Sequence, residues 1–245
     1  VLQQLVSKAD GVPLFVEELT KTVLESGLLV EAGDQWQLMQ PLPPLAIPAS
    51  LHDSLMARLD RLAPVKEVAQ TPSVIGREFA QDLLAAAARL DESELDQALG
   101  QLAAAELVFR RSMPPNATYA FKHVLVQGAA YATLLHGRRQ ELHARTAQIL
   151  QERFIDTPPE VLARHLSEGG DIEGAVTYWE KAGRQAVSRA AGKEALAHFQ
   201  RALTQLRDLP DSIGRRRREA ALQSSVGAVL VNVTGLASGT VERTW

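Results

Sequence analysis

Two segments of this chain carry the same arrangement of small and aromatic residues. Ala175, Trp179 and Ala182 stand in the pattern A-x-x-x-W-x-x-A, and Ala195, Phe199 and Ala202 repeat it twenty residues later. Positions i, i+4 and i+7 share one face of an α-helix. Alanine on that face lets a neighbouring helix approach closely, and the aromatic ring fills the remaining gap. The interval is shorter than the period of about 34 residues typical of two-helix repeats, so the two segments are expected to be successive helices of one stack. Everything from Gly137 onward reads as helical. Pro210 interrupts the array, and a further helix is expected from Arg215 to Val233.

The first half of the chain has a different grammar. Pro13 suits the first position of a helix, where its missing N–H has no partner to lose, and the helix is expected to run to about Ser26. Glu17 lies near the positive end of that helix and can reach Lys21 four residues on. Leu28 to Val30 and Trp36 to Leu38 suggest a small hairpin, followed by a stiff connector through Pro41, Pro43, Pro44 and Pro48. Ser50 and Asp53 resemble a capping box that opens a helix to about Leu62. Pro64 is expected to start the next helix, which Pro72 should end or kink. A third helix is expected from Phe79 to Ala88. Asp91, with Glu94 three residues on, caps a fourth, in which Leu95, Ala98, Leu99, Leu102 and Ala103 make a face of period 3.6. Leu107 to Arg110 and Thr118 to Phe121 read as paired strands, and a helix from about His123 to Leu135 follows. Three helices followed by strand, loop and strand is the winged-helix layout. The expected fold is mainly α: a helical lid segment (1–49), a winged-helix domain with a small β-wing (50–135), and helical repeats (136–245).

Composition removes several functions. Cysteine is absent, which excludes disulfides, thiolate metal sites and cysteine nucleophiles, and fits a cytoplasmic location. A net charge of −3 gives no general affinity for nucleic acid or anionic membrane. Apolar runs such as 227–231 fall far short of the roughly 20 residues of a membrane span. The six histidines show no metal-ligand spacing, so no metal site is expected. No phosphate loop, serine elbow or H-E-x-x-H occurs, and adjacent carboxylates such as Glu17 and Glu18 point in different directions on a helix. No catalytic residue is assigned, and the chain by itself is not expected to be an enzyme. The would-be recognition helix has Glu92, Glu94 and Asp96 along it and Glu106 just beyond, with no Lys or Arg between Asp91 and Glu106. DNA phosphates would repel it, so DNA is disfavoured as a partner. The basic run Arg215 to Arg218 is expected to be a solvated face paired with acids such as Asp208, Asp211 and Glu219.

Five runs carry a family likeness: K-A-D-G-V-P-L-F-V-E-E-L-T-K, I-P-A-S-L-H-D-S-L-M-A-R-L-D-R-L, V-I-G-R-E-F, Y-A-F-K-H-V-L-V-Q and R-R-Q-E-L-H-A-R. In these the chain resembles bacterial multidomain regulators in which an adenylate or guanylate cyclase domain precedes an AAA-like (STAND-type) signal-transduction ATPase and then tetratricopeptide repeats. The resemblance implies that this chain is the C-terminal part of the ATPase module plus the first repeats of a longer protein, with the phosphate loop and the cyclase before Val1. It also implies ATP or ADP as the nucleotide of that longer protein, with no cofactor expected for this piece alone. The implied partners are the upstream nucleotide-binding domain and a protein ligand on the repeats. Two elements carry over by position. Gly11-Val12-Pro13 resembles the G-x-P element placed beside the adenine base. His123 resembles the winged-helix histidine that contacts the nucleotide β-phosphate in the closed, ADP-held form. The chain departs from the family at Val124, where an acidic residue is usual, and at Pro72 and Gly128.

Each of these residues has a plainer reading as well. G-x-P also suits any loop-to-helix start, and His123 also suits a helix start or a core position. The implied function is a non-catalytic regulatory arm of a nucleotide-switched protein, controlling an attached cyclase. The alternatives are a protein-interaction scaffold without nucleotide dependence and the arm of a transcriptional activator of the same architecture.

Overall fold

The computed structural model describes residues 13–25, 29–32, 35–38, 51–61, 66–113 and 117–238. The chain divides into two compact units, Val1–Leu134 and Leu135–Trp245. The fold is mainly α, with eleven helices and a three-stranded sheet among the described residues.

In the first unit, α1 (Pro13–Glu25) begins at the proline and packs against α2 (Leu51–Arg61). Among its described side chains, Phe15 and Leu19 are the buried apolar ones. Strands β1 (Leu29–Ala32) and β2 (Gln35–Leu38) form the expected hairpin in antiparallel register, Leu29 opposite Leu38. Ser26, Ser50, Pro64 and the connector prolines Pro41, Pro43, Pro44 and Pro48 lie outside the described residues.

Helix α3 (Lys66–Ile75) continues three residues beyond Pro72. Its last turn, 71–75, is buried throughout, and that burial offsets the backbone bond the proline cannot make. The helix stops at Gly76, whose N–H reaches the Pro72 carbonyl at 3.0 Å. The chain then forms a short strand, β3 (Glu78–Ala80), where the sequence pattern suggests a helix start. Tertiary packing decides the matter. Phe79 pairs with Tyr119 across the sheet, their rings stacked at 6.1 Å, and lies 5.7 Å from the ring of Phe121. Helix α4 (Gln81–Ala88) starts only after this strand.

Helix α5 (Glu92–Ala104) opens with the full capping box. The Asp91 carboxylate accepts from the Glu94 N–H at 2.8 Å, and the Glu94 side chain accepts from the Asp91 N–H at 3.2 Å. Leu95, Leu99 and Leu102 are nearly inaccessible to solvent. Strands β4 (Val108–Ser112) and β5 (Thr118–Phe121) pair antiparallel, and β3 joins them in the order β3-β5-β4. A register shift between Arg110 and Ser112 leaves Arg111 as the extra residue of a bulge, from which it pairs with Glu78. Helix α6 (Val124–Ala132) packs on α2 and α3.

The second unit is a row of helices: α7 (His136–Arg153), α8 (Pro159–Gly169), α9 (Ile172–Ser188), α10 (Gly192–Leu206) and α11 (Ile213–Ser238). Each packs chiefly on the next in sequence. The small–aromatic–small faces lie on α9 and α10, and all six of their residues are buried. Backbones approach closely. A Cβ at Gly169 would meet the Ala144 Cα and N at 2.9 Å, and one at Gly183 would overlap the Phe199 ring. The Trp179 indole N–H donates to the Ser167 hydroxyl on α8 at 3.1 Å, and the Arg201 guanidinium lies 4.8 Å over its ring. Gly170 (φ 89°) ends α8 in the left-handed conformation, and Ala190 (φ 58°) does the same after α9 without being glycine.

Candidate functional site

Of the three residues singled out in the sequence, Gly11 lies outside the described residues. Pro13 is the exposed first residue of α1. His123 is the residue before α6, in extended conformation (φ −135°, ψ 148°), and its imidazole makes no capping bond to the helix. Among the described residues no hydrogen bond or ion pair reaches that ring. The first N–H groups of a helix have no intrahelical partner, and the first turn of α6 contains no acid. Val124 and Leu125 in that turn are largely exposed. The start of α6, where the Val126 N–H bonds the His123 carbonyl at 3.1 Å, therefore presents a half-buried imidazole and the positive end of a helix dipole with no side-chain cap.

The neighbouring residue, Lys122, links this point to α1. Its ammonium donates to Glu17 at 3.0 Å and to Glu106 at 2.7 Å. Lys21 donates to Glu17 at 2.8 Å and also bonds Glu106. Hydrogen bonds from Lys21 and then Lys122 hold the Glu17 carboxyl down to about 2, and those from Lys122 and then Lys21 do the same for Glu106. The same contacts, Glu106 first, raise Lys122 above the ordinary lysine range. Glu17, Glu106 and Lys122 are therefore charged at neutral pH. Glu17 stands one turn beyond Pro13, and Lys122 is adjacent to His123. The structure thus brings the first turns of α1 beside the strand end that carries His123, through charged side chains rather than through Pro13 and His123 themselves.

The sequence shows only half of this cluster. Glu17 and Lys21 are legible as an i,i+4 pair, but no periodicity ties them to Glu106 or Lys122. Glu106 carries a further signal visible only in three dimensions. It has φ 53° and is the left-handed residue after α5. The Glu106 N–H bonds the Ala103 carbonyl at 2.9 Å, and the Leu107 N–H bonds the Leu102 carbonyl at 3.0 Å. This is the Schellman ending, at whose left-handed position glycine is the usual residue.

Two further clusters lie elsewhere. On the first unit, Gln81, Asp82, Glu92, Asp96 and Arg110 rim a cleft of about 620 Å³, and Gln81 donates to Asp96 at 2.6 Å. The exposed side of α5 is therefore acidic. In the second unit, His143 and His165 meet in the interior with their Nδ1 atoms 3.0 Å apart. Burial, and secondarily the charge of Arg164, pushes His143 down to about 4. The described residues contain no group of three or more His, Cys, Asp or Glu able to hold a metal ion. The arginines of 215–218 are largely tied to acids. Arg215 pairs with Asp211 and Glu219, Arg216 with Asp211, and Arg218 with Glu180.

No protein-family model matches the chain. It is 29% identical over 241 residues to an uncharacterized protein of Rhizobium meliloti (strain 1021), a match that takes in 96% of this chain and 23% of that protein. The chain thus spans less than a quarter of the length of that relative. No solved structure matches. No helix among the described residues is long and apolar enough to cross a membrane.

Proposed function

We propose that the chain is a non-catalytic regulatory arm of a nucleotide-switched signal-transduction protein of the ATPase–repeat type, cytoplasmic, with an attached cyclase domain as its output. The start of α6 is the observation that carries this reading. A helix N-terminus without a side-chain cap, with His123 immediately before it and Lys122 next to that, suits a phosphate. The hydrogen bond from Lys122 to Glu17 puts the helix that begins at Pro13 next to the same point. ATP or ADP would be held mainly by a nucleotide-binding domain elsewhere in the longer protein. Gly11, Pro13 and His123 would form one wall of the pocket. A ligand on the helix row would act by binding the closed and open arrangements unequally, since equal binding shifts no equilibrium.

The test is His123→Ala in the longer protein. The expected result is faster loss of bound ADP and altered output. Unchanged retention together with unchanged output would remove His123 from the mechanism.

The close-packed helix row also supports a second reading, a protein-interaction scaffold in which nucleotide has no part. A longer protein that neither binds nor hydrolyses ATP would favour it. The acidic exposed face of α5 speaks against DNA contact by the winged helix, so an activator arm would need its DNA-binding domain elsewhere.

A further inference from the structure

Glu17, Lys21, Glu106 and Lys122 close a ring of alternating charge in which each lysine bonds both glutamates. The members come from α1, from the turn after α5 and from the end of β5, so the ring spans 105 residues of sequence. All four side chains are partly exposed, at 22–51%. Each pair on its own is therefore weak and open to screening by salt. Their value lies in direction. Phe15 and Leu19 hold α1 to the unit by apolar burial, which has no preferred orientation. The ring fixes where the first turns of α1 stand. Glu106 occupies a backbone conformation that favours glycine, and its side chain, like that of Glu17, bridges both lysines.

We propose that this ring is a clasp that sets the position of α1 on the winged-helix unit and opens as a whole when one of its charges is lost or screened. Removing one lysine leaves two carboxylates facing a single cation, so the remaining bonds weaken together. The clasp does not rest on the nucleotide reading, and its test uses no nucleotide, so either can fail alone.

The test is amide hydrogen exchange on the full chain, read by mass spectrometry. Lys122→Gln is expected to raise exchange over 13–25 about 3- to 10-fold. Reversing all four charges together (Glu17→Lys, Lys21→Glu, Glu106→Lys, Lys122→Glu) rebuilds the alternation and is expected to restore protection. Raising NaCl to about 1 M is expected to loosen the same segment in the unaltered chain while leaving 172–188 unchanged. Unchanged exchange over 13–25 in Lys122→Gln and at high salt overturns the proposal. So does a loss that charge reversal fails to repair, because the lysine stem would then act by packing. If the four-fold variant does not fold, the salt series decides alone.

Discussion

Gly183→Ala should destabilise the helix row, although alanine is the better helix former. An ideal Cβ at 183 would lie 2.6 Å from Cδ1 and 2.8 Å from Cζ of Phe199, and closer still to Cε1. Carbon atoms in good contact stand about 3.5–4.0 Å apart, so the methyl overlaps the ring by roughly 1 Å along one edge. Phe199 is 2% exposed and cannot swing into solvent. Overpacking of this kind costs about 1–3 kcal/mol, and three ring atoms in conflict place it at the upper end. Helix propensity returns about 1 kcal/mol. The net expectation is a loss of about 2 kcal/mol, read as a lower urea midpoint by circular dichroism and localised to α9 and α10 by hydrogen exchange. Gly227→Ala is the matched control. That glycine is also helical, but nothing lies within 4 Å of its would-be Cβ, so alanine there should stabilise by about 1 kcal/mol. In a Phe199→Leu background the conflict is removed, and Gly183→Ala should become neutral or stabilising. A Gly183→Ala variant that gains as much as the control would refute the packing argument.

Two other outcomes follow from the second unit. His143 is held near 4 when folded and titrates near 6.5 when unfolded. Its contribution is therefore complete above about pH 6.5 and falls as pH drops toward 4, by at most about 1.4 kcal/mol per pH unit. Unfolding free energies at pH 7 and pH 5 should differ by less in His143→Gln than in the unaltered chain, and an unchanged difference would contradict the assignment. Ala190 holds a left-handed φ of 58°, so Ala190→Gly should stabilise by about 0.5–1 kcal/mol in a urea titration, the reverse of the usual effect of glycine.

The parts of the fold legible in the sequence are those set by local rules. The capping box at Asp91 and Glu94, the paired strands around 108–121 and the buried faces of α9 and α10 all depend on residues within a few turns of one another. The departures come from distant partners. Phe79 lies in a sequence with a helical pattern, yet the rings of Tyr119 and Phe121 draw it into a strand. Pro72 looks like a stop, yet the burial of its whole turn carries the helix past it. The candidate site divides the same way. Pro13 as a helix start and Glu17 with Lys21 are local facts. The meeting of Glu17 with Lys122 and of Lys21 with Glu106 depends on how the chain returns on itself after α5 and β5, and no spacing in the sequence encodes that.

The second unit is a row in which each helix leans chiefly on the helices before and after it. Such a row has no keystone. Pulled from its C-terminal end, it should come apart by peeling, with α11 leaving α10 before α10 leaves α9, so that a modest force yields a series of small extensions rather than one abrupt rupture.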